Sequence, residues 1–308
     1  MNVAEQARVY LEQLRTRKRS PVRGNTLSAY QSYLKNWIEP NLGLLDLSQM
    51  KNGVMRQFVS KLSSAGLAPA SVAGIVQFTK GIVKSAVNDE GDYLYPPAWN
   101  NDFIDAEPID QRKQESPLIT APEVTRAISA VSGQYRPLLA ALGGCGARIS
   151  EIIALKKGAS HATTYWDYDE SIISIDTQIY KGAEQPPKTE AGHRRVDICS
   201  ELNEYLNSCF KSKTIGQYLF STRNGSPLPL PTLYGIAKRC AIPGFHSFRR
   251  FRVTWMRSCK VPEDVLTYWI GHAKAGITSR YSKLSENNQL KKEWAEKCGL
   301  GFDLSKQI

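Results

Sequence analysis

What most limits the fold of this chain is a break in its pattern. Residues 89–117, DEGDYLYPPAWNNDFIDAEPIDQRKQESP, are rich in proline, aspartate and asparagine and follow neither a helical nor a strand period. The sequence on either side does follow one, so the 308 residues divide into two bodies, expected at 1–110 and 111–308. Charge marks the same division. Residues 89–110 hold seven acidic side chains and no basic one, in a chain whose 40 Lys+Arg exceed 29 Asp+Glu by 11. Two basic bodies fit a polyanionic partner, with the acidic connector turned away from it. An acidic loop that is merely solvated gives the same counts.

The first body reads as a small bundle of helices. AEQARVYLEQLRT spaces Ala7, Val9, Leu11 and Leu14 helically, and a basic tract, RTRKRSPVRGN, follows. TLSAYQSYLKNWIEPNLG puts Leu27, Tyr30, Leu34 and Trp37 on one stripe, with stops expected at Pro40 and Gly43. NGVMRQFVSKLSSAGL and PASVAGIVQFTKGIVKSAV supply two more helices.

The second body opens on Thr120-Ala121-Pro122-Glu123, a capping box with proline in the first turn. QYRPLLAALGGCG predicts a helix, and RISEIIALK another after the glycines. HATTYWDYDESIISIDTQIY, with alternation in SIISIDTQI, predicts strands, and KTEAGHRRVDI a third strand in a hairpin. From Glu201 the helical period returns, interrupted by YLFSTRNGSPLPLP. The fold class expected is mainly α with a small antiparallel β-sheet: a helical domain followed by a mixed α/β domain.

Other signals exclude whole classes. Six cysteines, none in a C-x-x-C pair, predict thiols rather than a disulfide framework. No apolar run reaches membrane-spanning length and the first residues lack a signal-peptide core, so no membrane partner and a reducing, cytoplasmic location are expected. Neither a zinc spacing nor a phosphate-binding glycine loop occurs; no cofactor and no metal are expected.

Chemistry concentrates toward the end. In HSFRRFRVTWMRSCK, Phe248, Phe251, Trp255 and Cys259 form a buried stripe, while His246 and Arg249 share another face and Arg250 and Arg252 add charge. Arg148 opens a helix, with Glu151 one turn on to brace its guanidinium. Lys188 lies on the expected hairpin beside Lys181, His193, Arg194 and Arg195, which read equally as phosphate clamps or solvated charges. His272 follows Gly271, and Tyr281 stands among polar neighbours in TSRYSK. Taken singly, each is an ordinary pattern. Together they offer a nucleophile, proton-transfer groups and fixed positive charge.

In order, the set R…K…H-x-x-R…G-H…Y resembles the tyrosine recombinases, or phage integrase family. GARISEI, PPKTEAGHRRV, HSFRRFRVTWMRS and WIGHAKAGITSRYSKL carry the match. TLSAYQSYLKNWIEPNLG and VMRQFVSKLSSAGLAPASV resemble that family's core-binding domain, so the likeness spans about residues 3–290. The resemblance implies a two-domain clamp on double-stranded DNA and a tetramer of protomers on paired sites. It implies that Tyr281 attacks the scissile phosphorus to give a 3′-phosphotyrosine, with Arg148 and Arg249 on the non-bridging oxygens. His246 would take or shuttle the tyrosine proton, Lys188 protonate the leaving 5′-oxygen, His272 donate to the phosphate, and Glu151 support.

Departures from the family pattern leave alternatives open. The stretch between Arg148 and Lys188 is long, so Lys181 is a second candidate acid. With no module before the helical bundle, a separate arm-site-binding domain is not expected. The tail helix, with Leu290, Trp294 and Cys298 on a stripe, packs either on a neighbouring protomer or on its own domain. A type IB topoisomerase, or a DNA-binding accessory protein without cleavage, would carry similar features.

Overall fold

The computed structural model describes residues 1–19, 21–95, 99–110, 117–158, 163–187, 189–272 and 287–304. The chain forms two compact units, Met1–Gln114 and Glu115–Ile308. Each has its own apolar core.

The first unit contains α1 (Val3–Thr16), α2 (Gly24–Tyr33), α3 (Glu39–Leu42), α4 (Asn52–Ser64), α5 (Pro69–Lys84) and α6 (Asn101–Ile104). Asn2 caps α1, its Oδ1 accepting from the Glu5 amide at 2.9 Å while the Glu5 carboxylate accepts from the Asn2 amide at 3.1 Å. The buried face of α1 is Val3, Gln6, Ala7 and Leu14. Val9, expected on that face, is exposed. Two residues beyond Ala7 it is turned by about 200°, onto the opposite side. Tyr10, Phe78 and Tyr30 stack across α1, α5 and α2 with centroid separations of 5.8 and 4.2 Å.

Pro40 does not stop the helix as expected. Residues Leu34–Ile38 form a π-helical stretch in which the Glu39 amide reaches back to the Leu34 carbonyl, and Pro40 then lies in the first turn of α3. Proline lacks an N–H and its ring crowds the carbonyl four residues back; a wider turn just before it carries the chain past that conflict. The helix ends instead at Leu42, before Gly43. The buried line becomes Leu34, Ile38 and Leu42, with Leu27, Tyr30 and Trp37 half-buried.

The second unit contains α7 (Ala121–Ser129), α8 (Tyr135–Cys145) and α9 (Ile149–Ile152), then β1 (Lys156–Lys157), β2 (Tyr165–Asp167), β3 (Ile172–Ile175), β4 (Gln178–Tyr180), β5 (Ala183–Gln185) and β6 (Arg194–Asp197). It continues with α10 (Ser200–Phe210), α11 (Leu230–Arg239), α12 (His246–Ser258), α13 (Glu263–Ile270) and α14 (Asn288–Cys298). The Thr120–Glu123 capping box opens α7. α8 is its central helix, buried from Pro137 through Cys145.

Three expectations for this unit change. The helix read from RISEIIALK shrinks to α9, and Lys156 already belongs to β1. Ile152 through Leu155 are wholly buried, and so short an apolar run fits a helix or an extended chain equally. The main sheet has the order β1-β2-β3-β6 and is mixed rather than wholly antiparallel, because β1 runs parallel to β2. β6 pairs with β3, Val196 opposite Ile173, while β4 and β5 form a hairpin of their own.

The tail folds back on its own unit. Trp255 Nε1 donates to the Cys298 carbonyl at 2.8 Å, and Arg252 Nη1 to the Gly299 carbonyl at 2.6 Å. Leu300 and Leu304 are buried. Bare backbone on α8 makes room: a Cβ on Gly144 would stand 3.0 Å from Leu300 Cδ2, and one on Gly143 2.9 Å from the Phe302 ring. The buried line of α14 is Lys291, Ala295 and Cys298, with Leu290 and Trp294 half-buried beside it. All six cysteines are thiols. Among the described residues, no helix is long and apolar enough to cross a membrane.

Candidate active site

The site begins where α8 ends. Gly146 takes a left-handed conformation (φ 67°) and turns the chain through Ala147 into Arg148, the N-cap of α9. Glu151, three residues on, accepts from the Arg148 amide at 2.7 Å and from Arg148 Nη1 at 2.8 Å. One carboxylate thus fixes both ends of Arg148 while leaving its side chain 40% exposed.

Arg249, on the first turns of α12, is buried. Its Nη1 donates to the Gly146 carbonyl at 3.0 Å and its Nη2 to the Ile270 carbonyl at 2.6 Å. Those acceptors terminate α8 and α13, two residues before Arg148 and two before His272. His246, one turn before Arg249, is exposed, as is His272 after the left-handed Gly271. Four side chains from distant stretches of sequence are thereby gathered into one place.

Electrostatics agree. Burial and, after it, the nearby Arg148 push the Arg249 guanidinium down to about 10. His246 lies below its ordinary value through burial first, then the charges of Arg250, Arg249, Arg148 and His272. Burial, Arg249, Arg148 and Arg194 lower His272 in the same way. Both imidazoles are therefore neutral at neutral pH, the state that can accept a proton. Burial works to raise the Glu151 carboxyl, but Arg194 and Arg148 prevail and hold it below the usual carboxylate range. Two guanidiniums, Arg148 and Arg194, share this one carboxylate and a third, Arg249, bonds only carbonyls, which leaves a surplus of positive charge suited to a phosphate.

Two of the sequence candidates, Lys188 and Tyr281, lie outside the described residues. Lys181 sits at the tip of the β4–β5 hairpin with its ammonium 5.5 Å from the Tyr180 ring centroid. Two arginines differ from their sequence reading. Arg252, expected as nearby surface charge, is buried and tied to the tail carbonyls of Gly299 and Leu300. Arg194, read as a clamp or a solvated charge, has a side chain that is 0% exposed and pairs with Glu151 at 2.8 Å. A sequence signal for it existed: Arg194 shares the parity of Val196 along β6 and of Ile198 just beyond it, both core residues.

No protein-family model matches the chain. Transposase B from transposon Tn554 of Staphylococcus aureus is 25% identical over 276 residues, covering 80% of this chain and 40% of the transposase. Transposase B from PsiTn554 of the same species is 24% identical over 283 residues, with the same coverage. The chain thus spans 40% of the length of these curated relatives. Among solved structures, the Tn1549 transposon integrase in complex with transposon right end DNA aligns with a TM-score of 0.67 at 18% identity, covering 93% of this chain and 99% of that one. A lambda integrase tetramer bound to a Holliday junction aligns at 0.62 and 14% identity, covering 92% and 78%. Both are tyrosine recombinases, and the likeness shows that fold.

Proposed function

From this tyrosine recombinase fold, we propose that the chain is a site-specific DNA recombinase that cleaves and rejoins strands through a 3′-phosphotyrosine. The observation that carries the proposal is the convergence of Arg148, braced by Glu151, with Arg249, His246 and His272 in one cationic site. A phosphodiester is already anionic, and its pentacovalent transition state gathers more charge on the equatorial oxygens. Two permanently charged planar guanidiniums meet that demand better than lysines, and without a metal. The Tyr281 phenol, with an ordinary pKa near ~10, needs a base or a positive field to attack at neutral pH. A neutral His246 supplies the base.

In the proposed step the Tyr281 oxygen bonds to phosphorus as its proton passes to His246. The P–O5′ bond breaks, and the leaving oxygen takes a proton from Lys188 or Lys181. Arg148, Arg249 and His272 hold the non-bridging oxygens. The phosphotyrosine ester keeps the energy of the broken bond, so a 5′-hydroxyl of another strand reverses the step without ATP.

Residues 1–110 act as the core-binding domain and 111–308 as the catalytic domain on double-stranded DNA, with protomers assembling as a tetramer on paired sites in the cytoplasm. The relatives support this by what they are: a transposase, an integrase on transposon end DNA and a tetramer on a Holliday junction. The test is trapping on a nicked suicide duplex. The unaltered chain should yield a covalent adduct that survives detergent, and Tyr281→Phe none. An adduct persisting in Tyr281→Phe removes the nucleophile. Relaxation of supercoils by dilute monomer, with no recombinant product from paired sites, would favour a topoisomerase instead.

A further inference from the structure

Arg194 is a third guanidinium at this site, buried like Arg249 and unlike the half-open Arg148. Its side chain is 0% exposed. Nη2 donates to Glu151 Oε2 at 2.8 Å, and Nη1 to Glu151 Oε1 at 3.3 Å and to the Gly192 carbonyl at 2.9 Å. Nε donates to the Trp269 carbonyl at 2.7 Å. The turn carrying His272 rests on the same group, since a Cβ added to Gly271 would stand 2.9 Å from Arg194 Nη1.

We propose that Arg194 is a positioning residue that sets Arg148, Arg249 and His272 in one frame without touching the substrate. The inference rests on the strand-cleavage reading and deepens it. Each Glu151 oxygen serves two masters: Oε1 takes Arg148 Nη1 and Arg194 Nη1, and Oε2 takes the Arg148 amide and Arg194 Nη2. On its own the carboxylate would hold Arg148 in place and at the same time cancel its charge. Arg194 offsets the carboxylate from behind, so Arg148 is both fixed and still cationic toward an incoming phosphate.

At its other end Arg194 takes the Trp269 carbonyl, next to the Ile270 carbonyl that Arg249 takes. The last carbonyls of α13 are claimed by two arginines in succession, and His272 follows directly. Only a planar fork with donors on three nitrogens spans a carboxylate on one side and a helix terminus on the other; a lysine ammonium is a single point.

Exchanging both partners of a buried ion pair for neutral groups is often harmless to stability. That gives the test its second variant. The full chain, Arg194→Lys, and the neutral pair Arg194→Met with Glu151→Gln are assayed on suicide duplexes carrying either a phosphodiester or a methylphosphonate at the scissile position. The methylphosphonate lacks one anionic oxygen and asks less of the guanidiniums.

Both variants should fold and bind duplex, yet form adduct on the phosphodiester about a hundredfold more slowly, the scale of one lost transition-state donor. On the methylphosphonate the deficit should shrink to about tenfold or less. Undiminished cleavage, or an equal deficit on both substrates, overturns the positioning role. So does failure of both variants to fold, which would make Arg194 a fold residue only. If the unaltered chain gives no adduct on either substrate, the recombinase reading itself fails, and this inference with it.

Discussion

Arg249 Nη2 donates a 2.6 Å hydrogen bond to the carbonyl of Ile270, the last residue of α13. Carbonyls at a helix C-terminus lack intrahelical partners and carry partial negative charge, so a cation is the natural cap. Arg249 caps α8 in the same way through Gly146. One side chain thus joins two helix ends, and each end delivers a polar residue: Arg148 beyond α8 and His272 beyond α13. In the proposed reaction, substrate recognition and helix capping would share one guanidinium, which has five donors to divide between them.

Arg249→Lys separates those duties. Lysine keeps the charge but cannot reach two carbonyls and a phosphate at once. Leaving a buried carbonyl unpaired should cost about 1–3 kcal/mol, read as a lower melting temperature. Single-turnover adduct formation should fall further, by about 10²–10³-fold. A cleavage deficit under about tenfold would remove Arg249 from the phosphate clamp.

The two histidines predict a pH dependence with a definite sign. Burial and neighbouring guanidiniums depress both His246 and His272 in the folded protein. The unfolded chain titrates near the ordinary ~6.5 and binds more protons below it. Stability is therefore fully present above that value and is lost as pH falls through it toward the folded values. Melting temperature should drop as pH falls below about 6.5, and less in the His246→Gln, His272→Gln double variant. On binding DNA, the phosphate should move both imidazole titrations upward, a shift that proton NMR reads directly. An unchanged or downward shift would place the duplex phosphate elsewhere.

The tail supplies a test of the fold alone. Leu300 is 2% exposed and meets the bare backbone of α8 at Gly144. Leu300→Ala removes that contact, and a core leucine truncated to alanine costs about 2–5 kcal/mol. Hydrogen exchange should rise in α8, α12 and α14 of the second unit. A loss under about 1 kcal/mol would mean the tail contributes little to that core.

How much of this was legible in the sequence follows from the range of each interaction. Local patterns read well: the Thr120–Glu123 capping box and the Arg148–Glu151 brace depend on residues three apart, and both are present. Polar ordering along the chain singled out Arg148, His246, Arg249 and His272, which the fold gathers. Distant partnerships did not read. Arg194 reaches Glu151 across 43 positions and Arg252 reaches Gly299 across 47. Parity along β6 could mark Arg194 as buried, but no local pattern names a partner so far away. The π-helical passage before Pro40 stayed hidden for the opposite reason, since a proline there reads as a stop until the turn before it is seen to widen.

The proton donor to the leaving 5′-oxygen can be identified by changing the leaving atom. Lys181 occupies the tip of a tight hairpin, φ 48° followed by Gly182 at 83°, where an exposed ammonium can swing toward a duplex. Lys188 is the candidate drawn from the motif. An alkoxide leaves poorly without a proton, whereas a 5′-bridging sulfur leaves as a stable thiolate and needs none. Lys188→Ala should therefore slow adduct formation on ordinary DNA by about 10²–10⁴-fold and on the 5′-phosphorothiolate hardly at all. Lys181→Ala should slow both substrates little. If Lys188→Ala slows both equally while Lys181→Ala shows the selective loss, the acid is Lys181, delivered by the hairpin tip rather than by the segment that follows it.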